Sequence, residues 1–391
     1  MLNCWLLALC LMTTHPNPAN HFAEFTEVFD EHAVPYTLIT SESVSHSFSQ
    51  NPSYILDPTQ EFVAQIAELI SREDLVITDI SDERFVQLHQ YLAKYYPSIH
   101  RAVYYDNPEC YVPGGYSDLA EKMIEEIQTV LCANRLLPSI GLKGKNALPM
   151  EISNINLIGL GFYPIRQAEE IRESRAHQDQ IEEIKSALFR RCDIPEAEQR
   201  IFTYIGGCNE VYFDKAFPHF LNSLTELVAR EDPSLNQTII LLQQHPRAKK
   251  EGDWDALQAR EFLAKHSLPA GFRFVISDLS THDALTISDG VLYFQTSMAA
   301  QCVFGGIPSI AQIGHEVYED TLVRSGFPTI KSATDLSHFL RGQQKMPSTN
   351  NLKSELGMDT HWRQNLLDWI STFLHDPIRP TVYALPPTRL D

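Results

Sequence analysis

Apolar segments of strand length alternate with amphipathic segments along most of the chain. Leu6–Met12, Tyr36–Thr40 and Asp74–Thr78 are short and rich in apolar residues, whereas the stretches between them carry apolar residues at helical spacing. Such alternation is typical of β-α-β units, in which a helix connects neighbouring parallel strands. The pattern therefore predicts an α/β fold.

The first half contains several such units. Its first helix is predicted to begin near Phe22, with Asn20 as the candidate N-cap, after a polar loop over Thr13–Ala19. The remaining predicted elements are the helices Phe62–Ser71, Phe85–Tyr95 and Leu119–Ile127 and the strands Arg101–Tyr105 and Val130–Asn134. The pattern weakens over residues 137–154, which places the end of a first domain at residue 154.

The second half repeats the alternation more regularly. It is predicted to begin with the strand Asn156–Leu160 and a long charged helix, Gln167–Cys192. The strands predicted to follow are Arg200–Ile205, Thr238–Gln243, Phe272–Ser277, Gly290–Gln295 and Pro308–Gln312, and the predicted helices are Phe217–Arg230, Ala256–His266, Ser280–Ile287 and Met298–Phe304. We therefore predict two Rossmann-like domains that face a cleft, over residues 1–154 and 155–358. Residues 359–391 are predicted to form a C-terminal helix, which packs across another surface of the protein, and an extended tail.

Length and charge narrow the classes of partner. A chain of 391 residues is long enough for two cores, and its hydrophobic fraction of 43% is that of a folded globular protein. The formal net charge of -19 opposes non-specific binding to nucleic acid or to an anionic membrane. A phosphorylated ligand is still compatible, because helix N-termini and local cations bind phosphate within acidic proteins.

The cysteines and the N-terminus favour a cytoplasmic protein without a membrane span. The 7 cysteines are scattered and form no C-x-x-C pair, so we interpret them as small hydrophobes in a reducing compartment. The apolar run Leu6–Met12 is too short to cross a bilayer. No Lys or Arg precedes it, which favours a first strand over a signal peptide.

Two segments of the second half are candidates for anion contacts. The strand Arg200–Ile205 ends in Gly206-Gly207, where backbone N–H groups can approach a diphosphate; the alternative is a tight turn without a ligand. His245 and Arg247 follow the strand Thr238–Gln243, at the edge where open α/β sheets place ligands. The alternative for this segment is a polar loop.

The third candidate is the segment GVLYFQTSMAAQCVFGGIPSI. Its strand ends in Thr296-Ser297 and a helix begins at once, so two hydroxyls and unpaired helix N–H groups together form a phosphate seat. The alternative, that one hydroxyl is an N-cap, is compatible with phosphate binding.

The succession IGG, HPR, ISD and TSMAAQCVFGGIP resembles the C-terminal half of nucleotide-sugar glycosyltransferases with the GT-B fold. It is also similar to the non-hydrolysing UDP-N-acetylglucosamine 2-epimerases, which share that fold. The resemblance covers roughly residues 156–345 by element order, and it covers the first half only as a β-α-β pattern.

The resemblance implies where a donor binds. It places the turns at Gly206-Gly207 and Thr296-Ser297 against the diphosphate. It also places His245 near phosphate or sugar, and Asp278 and Leu279 near the nucleobase. Many family members carry an acidic residue one turn into the last helix; Gln301 stands there, and it hydrogen-bonds a hydroxyl without bringing charge. The implied donor-binding residues are Gly206, Gly207, His245, Arg247, Asp278, Leu279, Thr296, Ser297, Met298 and Gln301.

The first half offers candidate general bases. His15 and His21 follow the first strand, and in many such transferases that loop supplies the base that deprotonates an acceptor hydroxyl. Asp79 and Asp106 follow two other strands and are alternative bases; the competing interpretation is that all of these residues cap helices and satisfy loop backbone. We select His15 and Asp106 as the catalytic candidates. The loop after Asp106 carries Tyr111 and Tyr116, which suit recognition of an acceptor sugar.

We therefore predict a metal-independent glycosyltransferase that uses a nucleotide sugar, with UDP the expected nucleotide, an unknown glycan, lipid or protein acceptor, and no other cofactor. His315-Glu316 follows a strand and can reach the donor, but it lacks the H-E-x-x-H spacing of a zinc protease; no P-loop or G-x-S-x-G motif occurs. The alternatives are a nucleotide-sugar 2-epimerase on the same fold and a catalytically inactive protein that binds a ligand or partner.

Overall fold

The chain divides into two compact units. In this computed structural model, the first unit comprises Met1–Pro164 and Leu356–Asp391 and the second Ile165–Glu355. The structure describes residues 8–106, 122–123, 126–133, 156–162, 165–194, 199–208, 210–294, 296–314 and 320–373.

The first unit is built on a parallel sheet. Its strands are β1 (Leu9–Thr13), β2 (Tyr36–Ser41), β3 (Tyr54–Leu56), β4 (Leu75–Asp79), β5 (His100–Tyr105), β6 (Thr129–Cys132) and β7 (Asn156–Gly159). They lie in the order β3-β2-β1-β4-β5-β6-β7, and every pair in that order is parallel. The helices between them are α1 (Pro16–Glu31), α2 (Glu42–Ser45), α3 (Phe62–Ile70) and α4 (Glu83–Tyr95).

Both faces of the first sheet are covered. Successive side chains of a strand point to opposite faces. Leu9 and Leu11 accordingly join one hydrophobic cluster with α1, whereas Cys10 and Met12 join another with α3 and α4. A strand buried on both faces reads as a continuous apolar run, which is why β1 was recognisable in the sequence.

The second unit is a smaller parallel sheet. Its strands are β8 (Arg200–Ile205), β9 (Thr238–Gln243), β10 (Phe272–Ile276), β11 (Gly290–Tyr293), β12 (Ile310–Ile313) and β13 (Thr329–Ile330), in the order β10-β9-β8-β11-β12-β13. The helices are α5 (Arg166–Ala176), α6 (Gln178–Arg191), α7 (Phe217–Ala229), α8 (Pro246–Glu251), α9 (Trp254–Lys265), α10 (Thr281–Thr286), α11 (Met298–Phe304), α12 (Thr321–Arg324), α13 (Ala333–Leu340) and α14 (Leu352–Glu355).

Two clusters form the core of the second unit. Phe202 and Tyr204 of β8 pack with α7, α9 and α13 on one face. Ile201, on the alternate side of the same strand, packs with α6 and α10 on the other. A one-turn π-helix, Tyr212–Ala216, precedes α7 and belongs to the first of these clusters.

The last helix, α15 (Trp362–Ser371), packs on the first unit. The Trp362 ring lies 4.4 Å from the Phe162 ring, and Asn365 Nδ2 donates to the Leu160 carbonyl at 3.0 Å. Gly161 adopts a φ of +77°, and a Cβ there would lie 2.5 Å from Cβ of Asp359. This glycine therefore permits the close approach of the C-terminal segment.

The predicted α/β fold with two parallel sheets is confirmed, with local corrections. The strand Asn156–Gly159 was predicted to open the second domain, but it pairs with β6 at the edge of the first sheet. Strand periodicity indicates burial but not the sheet in which a strand pairs, so the division falls at Pro164 and not at residue 154.

Two helix predictions are also wrong in their bounds. The segment Gln167–Cys192 is two helices, because the backbone of His177 leaves helical geometry at φ -102° and ψ 95°. Helix α1 begins at Pro16, one turn before Asn20. A proline suits that first turn, because its missing N–H group would have no helical partner there.

The described cysteines are free thiols, and Cys10, Cys132 and Cys302 are buried, as expected of small hydrophobes. Burial raises the pKa of Cys132 and of Cys302 to about 12. Of the helices within the described ranges, none combines the length and apolar composition that a membrane crossing needs.

Candidate functional site

Each sheet contains one point at which the direction of chain progression reverses. In the second sheet, β8 and β11 are neighbours, but the chain continues from β8 to β9 on one side and from β11 to β12 on the other. In the first sheet, β1 and β4 stand in the same relation. Loops diverge at such a switch point, and open α/β sheets bind ligands there, at the carboxyl ends of the strands.

The glycine turn after β8 is packed against an aromatic ring. Gly206 N–H donates to the carbonyl of Gln243 at 2.8 Å, so the neighbouring strand already uses this donor. A Cβ on Gly207 would lie 2.7 Å from Cγ of Tyr212. Both glycines are therefore closely packed, and their contact with a diphosphate stays a prediction.

A buried polar cluster lies beneath that turn. Asp255, in the first turn of α9, is 0% exposed and accepts hydrogen bonds from Gln244 Nε2 at 2.7 Å and Tyr212 Oη at 3.3 Å. Burial raises the pKa of Asp255, and these hydrogen bonds partly offset the shift. Sequence reasoning missed both Tyr212 and Asp255. The signal for Tyr212 was an aromatic residue soon after two glycines, and an acidic residue in a first helical turn is ordinarily a surface feature.

His245 lies beside this cluster and caps α8. Its Nδ1 accepts from Arg247 N–H at 3.1 Å, so the neutral ring carries its proton on Nε2. Burial and the Arg247 charge lower the pKa of His245, while the nearby Asp255 charge raises it. The group is thus a neutral hydrogen-bond donor at pH 7. The alternative interpretation of His245-Pro246-Arg247 as a polar loop is wrong, because a helix begins at Pro246.

In the turn after β11, Ser297 is the N-cap residue of α11 and Thr296 lies just before it. Thr296 Oγ1 accepts from Met298 N–H at 3.1 Å, whereas the Ser297 side chain makes no capping bond. Gln301 is 4% exposed, and its Oε1 accepts from Ala168 N–H at 3.2 Å. This bond joins α11 to the first turn of α5, which gives Gln301 a structural contact within the second unit.

Asp278 and Leu279 follow β10, two strands from the switch point. Asp278 forms an ion pair with Arg191 at 2.8 Å, and its side chain is 62% exposed. The Leu279 carbonyl accepts from Gln243 Nε2 at 3.0 Å. This bond ties the loop after β10 to the end of β9.

At the switch point of the first sheet, side chains join the strand ends. Asp79, the last residue of β4, is 0% exposed and its Oδ2 accepts from Thr13 Oγ1 at 2.7 Å and Thr14 N–H at 3.3 Å. Its Oδ1 accepts from Ser81 N–H at 2.8 Å. Burial raises the pKa of Asp79 and these donors lower it. A carboxylate engaged in this way is a structural link and is unsuited to be the general base.

The other candidate general bases of the first unit differ in how far their side chains are exposed to solvent. His15 is the N-cap of α1; it is exposed, and its side chain makes no capping bond. Asp106, after β5, is 2% exposed and accepts from Asn17 Nδ2. His21 is buried, and its Nδ1 lies 2.7 Å from Tyr104 Oη. Burial lowers the pKa of His21 to about 3, so this ring is a neutral core residue.

Several sequence candidates lie outside the described residues, namely Tyr111, Tyr116, His315 and Glu316. Within the described ranges, no group of three or more His, Cys, Asp or Glu side chains is placed to hold a metal ion.

Solved structures share this architecture across almost the whole chain. The UDP-GlcNAc 2-epimerase of Neisseria meningitidis, solved with UDP-GlcNAc, is 11% identical with a TM-score of 0.61, over 94% of this chain and 100% of that one. The corresponding enzyme of Methanocaldococcus jannaschii, in complex with UDP-GlcNAc and UDP, is 10% identical with a TM-score of 0.61, over the same shares. A glycosyltransferase of Rickettsia africae is 12% identical with a TM-score of 0.55, over 94% and 96%.

At these identities the likeness establishes the fold. The predicted α/β fold with two Rossmann-like units is confirmed, since these structures match this chain over 94% of its length. No family model and no curated protein matches the sequence.

Proposed function

We propose that the protein is a nucleotide-sugar enzyme whose second unit binds the donor at the switch point between β8 and β11. One observation carries this proposal: two of the four segments with which the sequence resembles donor-binding enzymes, Gly206-Gly207 and Thr296-Ser297, follow β8 and β11, the strands that meet at that point. Topology alone selects this position as the ligand edge of the sheet. The structural neighbours that were solved with UDP-GlcNAc support a UDP-linked donor.

The described groups suit a polar, phosphorylated ligand. Neutral His245 presents an Nε2–H donor, and Arg247, which is exposed in the first turn of α8, brings a positive charge. Gly206 N–H is committed to the sheet, so we assign the anion contacts to the turn at Thr296-Ser297 together with His245. No cofactor other than the donor is part of the proposal.

We further propose that the sugar is transferred to an acceptor hydroxyl, with His15 as the general base. Its imidazole is exposed at the switch point of the first sheet, while Asp79 and Asp106 are buried and hydrogen-bonded. Transfer needs one proton acceptor for the incoming hydroxyl. The proton of that hydroxyl passes to the imidazole of His15 as the oxygen bonds to the sugar and the diphosphate departs.

Epimerisation is the second candidate, and the named activities of the structural neighbours favour it. That reaction moves a proton at carbon, whereas transfer moves one from oxygen and releases UDP. The two proposals share the donor site and differ in the product.

Thermal stability in the presence of UDP, GDP, CDP, dTDP and CMP tests the donor site. A ligand at about 100 times its Kd stabilises the folded state by roughly 2.7 kcal/mol, which is visible as a melting shift. We expect a shift with UDP that is reduced in a Thr296→Ala/Ser297→Ala variant. No shift with any nucleotide would contradict the proposal and would favour the inactive binding protein.

NMR of the protein with UDP-GlcNAc then separates the reactions. Release of UDP, slow alone and faster with an acceptor, supports transfer, and its loss in His15→Gln supports the proposed base. Appearance of the 2-epimer without release of UDP would replace transfer by epimerisation.

A further inference from the structure

Thr14 is held by three different elements of the first unit. Its backbone N–H donates to Asp79 Oδ2 at 3.3 Å, and its Oγ1 donates to Asp82 Oδ2 at 2.9 Å. Its carbonyl accepts from Ser41 Oγ at 3.2 Å. The donor, the acceptor and the hydroxyl of this one residue are therefore all paired, with partners at the ends of β4 and β2 and at the start of α4.

The two carboxylates are themselves fixed. Asp79 is buried and accepts from Ser81 N–H and from Thr13 Oγ1. Asp82 caps α4, where its Oδ1 accepts from Arg84 N–H at 2.9 Å, and its Oδ2 pairs with Arg84 Nη2 at 2.6 Å. Because several donors hold each carboxylate, its orientation is fixed. The hydrogen bonds that Asp79 and Asp82 accept from Thr14 are therefore directional.

The residue that follows this anchored threonine is His15, whose side chain is exposed. His15 is also the N-cap of α1, and Ala19 N–H donates to its carbonyl at 3.0 Å. Its backbone is thus held on both sides, by Thr14 before it and by the first turn of α1 after it. A helix cap with a fixed backbone and an exposed ring is a rigid support for a side chain that must meet a substrate.

We propose that Asp79 and Asp82 are positioning residues which, through Thr14, hold the backbone of His15 at the switch point of the first sheet. The proposal rests on the proposed role of His15 as general base. In this proposal, Asp79 and Asp82 position His15 and do not themselves transfer a proton. A misplacement of about 1 Å in a reacting group costs up to about a hundredfold in rate, so the Oγ1–Asp82 bond is expected to matter for catalysis more than for folding.

Thr14→Val tests the proposal, because it removes the hydroxyl and preserves the shape of the side chain. Thr14→Ser restores the hydroxyl, and Thr26→Val is the matched control, since it breaks the bond from Thr26 Oγ1 to the Ala23 carbonyl within α1. We expect Thr14→Val to lower kcat about tenfold with KM for the donor nearly unchanged. Thr14→Ser and Thr26→Val are expected to retain the wild-type kcat. Wild-type kcat in Thr14→Val, or an equal loss in Thr26→Val, would overturn the proposal.

A second measurement does not depend on turnover. The ring resonances of His15 in ¹⁵N-labelled protein, identified by their absence in His15→Gln, report how the ring is held. We expect Thr14→Val to shift or broaden them while Thr14→Ser and Thr26→Val leave them in place. If they move as expected in a protein without turnover, the positioning stands and the proposed function fails. If they are unchanged in Thr14→Val, the positioning is overturned whatever the enzyme activity.

Discussion

At the switch point of the first sheet, hydrogen bonds between side chains join the strand ends, whereas at that of the second sheet the strand end packs around an aromatic ring. Thr13 and Asp79 connect β1 to β4 at 2.7 Å. In the second unit, Gly206 and Gly207 leave the space that Tyr212 fills. The same parallel topology is therefore completed by polar links in one unit and by packing in the other.

This difference shows that a motif after a strand does not by itself distinguish a ligand contact from a structural role. Glycines after a strand suggested an anion cradle, but here they admit Tyr212 above the buried carboxyl of Asp255. Hydroxyls and carboxylates after a strand suggested a general base, but Asp79 anchors a loop. In each unit, the histidine that we propose for contact with a ligand is the N-cap residue of a helix, namely His15 and His245.

The largest expected effect concerns sensitivity to acid, which should be greater in the first unit than in the second. Burial lowers the pKa of His21 and of His89 to about 3 in the fold, so as the pH falls the unfolded chain takes up these protons first. Stability is thus lost as the pH falls below the unfolded pKa of about 6.5, by about 2 kcal/mol for each histidine at pH 5. Asp79 acts in the opposite sense, because its raised pKa favours proton uptake by the folded state.

Hydrogen exchange during urea unfolding at pH 7 and pH 5 measures both units in one experiment. Peptides of β1 and β4 are expected to lose more protection at pH 5 than those of β8 and β9. His89→Gln, which retains a polar partner for Thr78 Oγ1, should reduce that loss, and His46→Gln at an exposed position should not. Equal losses of protection in the two units would contradict the expected difference in their sensitivity to acid.

The second prediction concerns the aromatic packing. Gly207→Ala places a methyl group 2.7 Å from Cγ of Tyr212, so we expect a loss of about 2 kcal/mol in the stability of the second unit. At Gly342, where φ is +67° and a Cβ would meet nothing within 4 Å, alanine costs only backbone strain, about 1 kcal/mol. Denaturant unfolding of both variants measures the difference. If Gly207→Ala keeps wild-type stability and loses only nucleotide affinity, the result would instead support a contact between this turn and the diphosphate.

The sequence predicted regular elements better than side-chain partners. The bounds of β8, β9 and α11 match the prediction, because each is a short apolar element between clear turn signals. The break at His177 was missed because neither Gly nor Pro marks it. The bond from Gln301 to Ala168 was unpredictable for a different reason, since it joins residues 133 positions apart and depends on tertiary packing.

The third prediction tests the hydrogen bond that Thr296 accepts at the start of α11. Thr296→Val removes the acceptor for Met298 N–H and should destabilise the second unit by about 1 kcal/mol, the net contribution of one hydrogen bond, whereas Thr296→Ser retains an acceptor and should cost little. Denaturant unfolding gives the stability and titration with UDP gives the affinity. Wild-type affinity in Thr296→Val would restrict Thr296 to a structural role and weaken the proposed donor site.

The smallest expected effect on stability concerns Asp278, which the resemblance places near the nucleobase. Its ion pair with Arg191 is largely exposed, so Asp278→Asn should change the unfolding free energy by about 0.5 kcal/mol or less. The variant is therefore a clean probe of binding, because any change in nucleotide affinity cannot be attributed to a damaged fold. Titration with UDP and CDP tests whether Asp278 contributes to base recognition. A loss of affinity for only one of the two nucleotides would show that the loop after β10 takes part. Unchanged affinities would confine the ligand edge of this sheet to the strands that meet at the switch point.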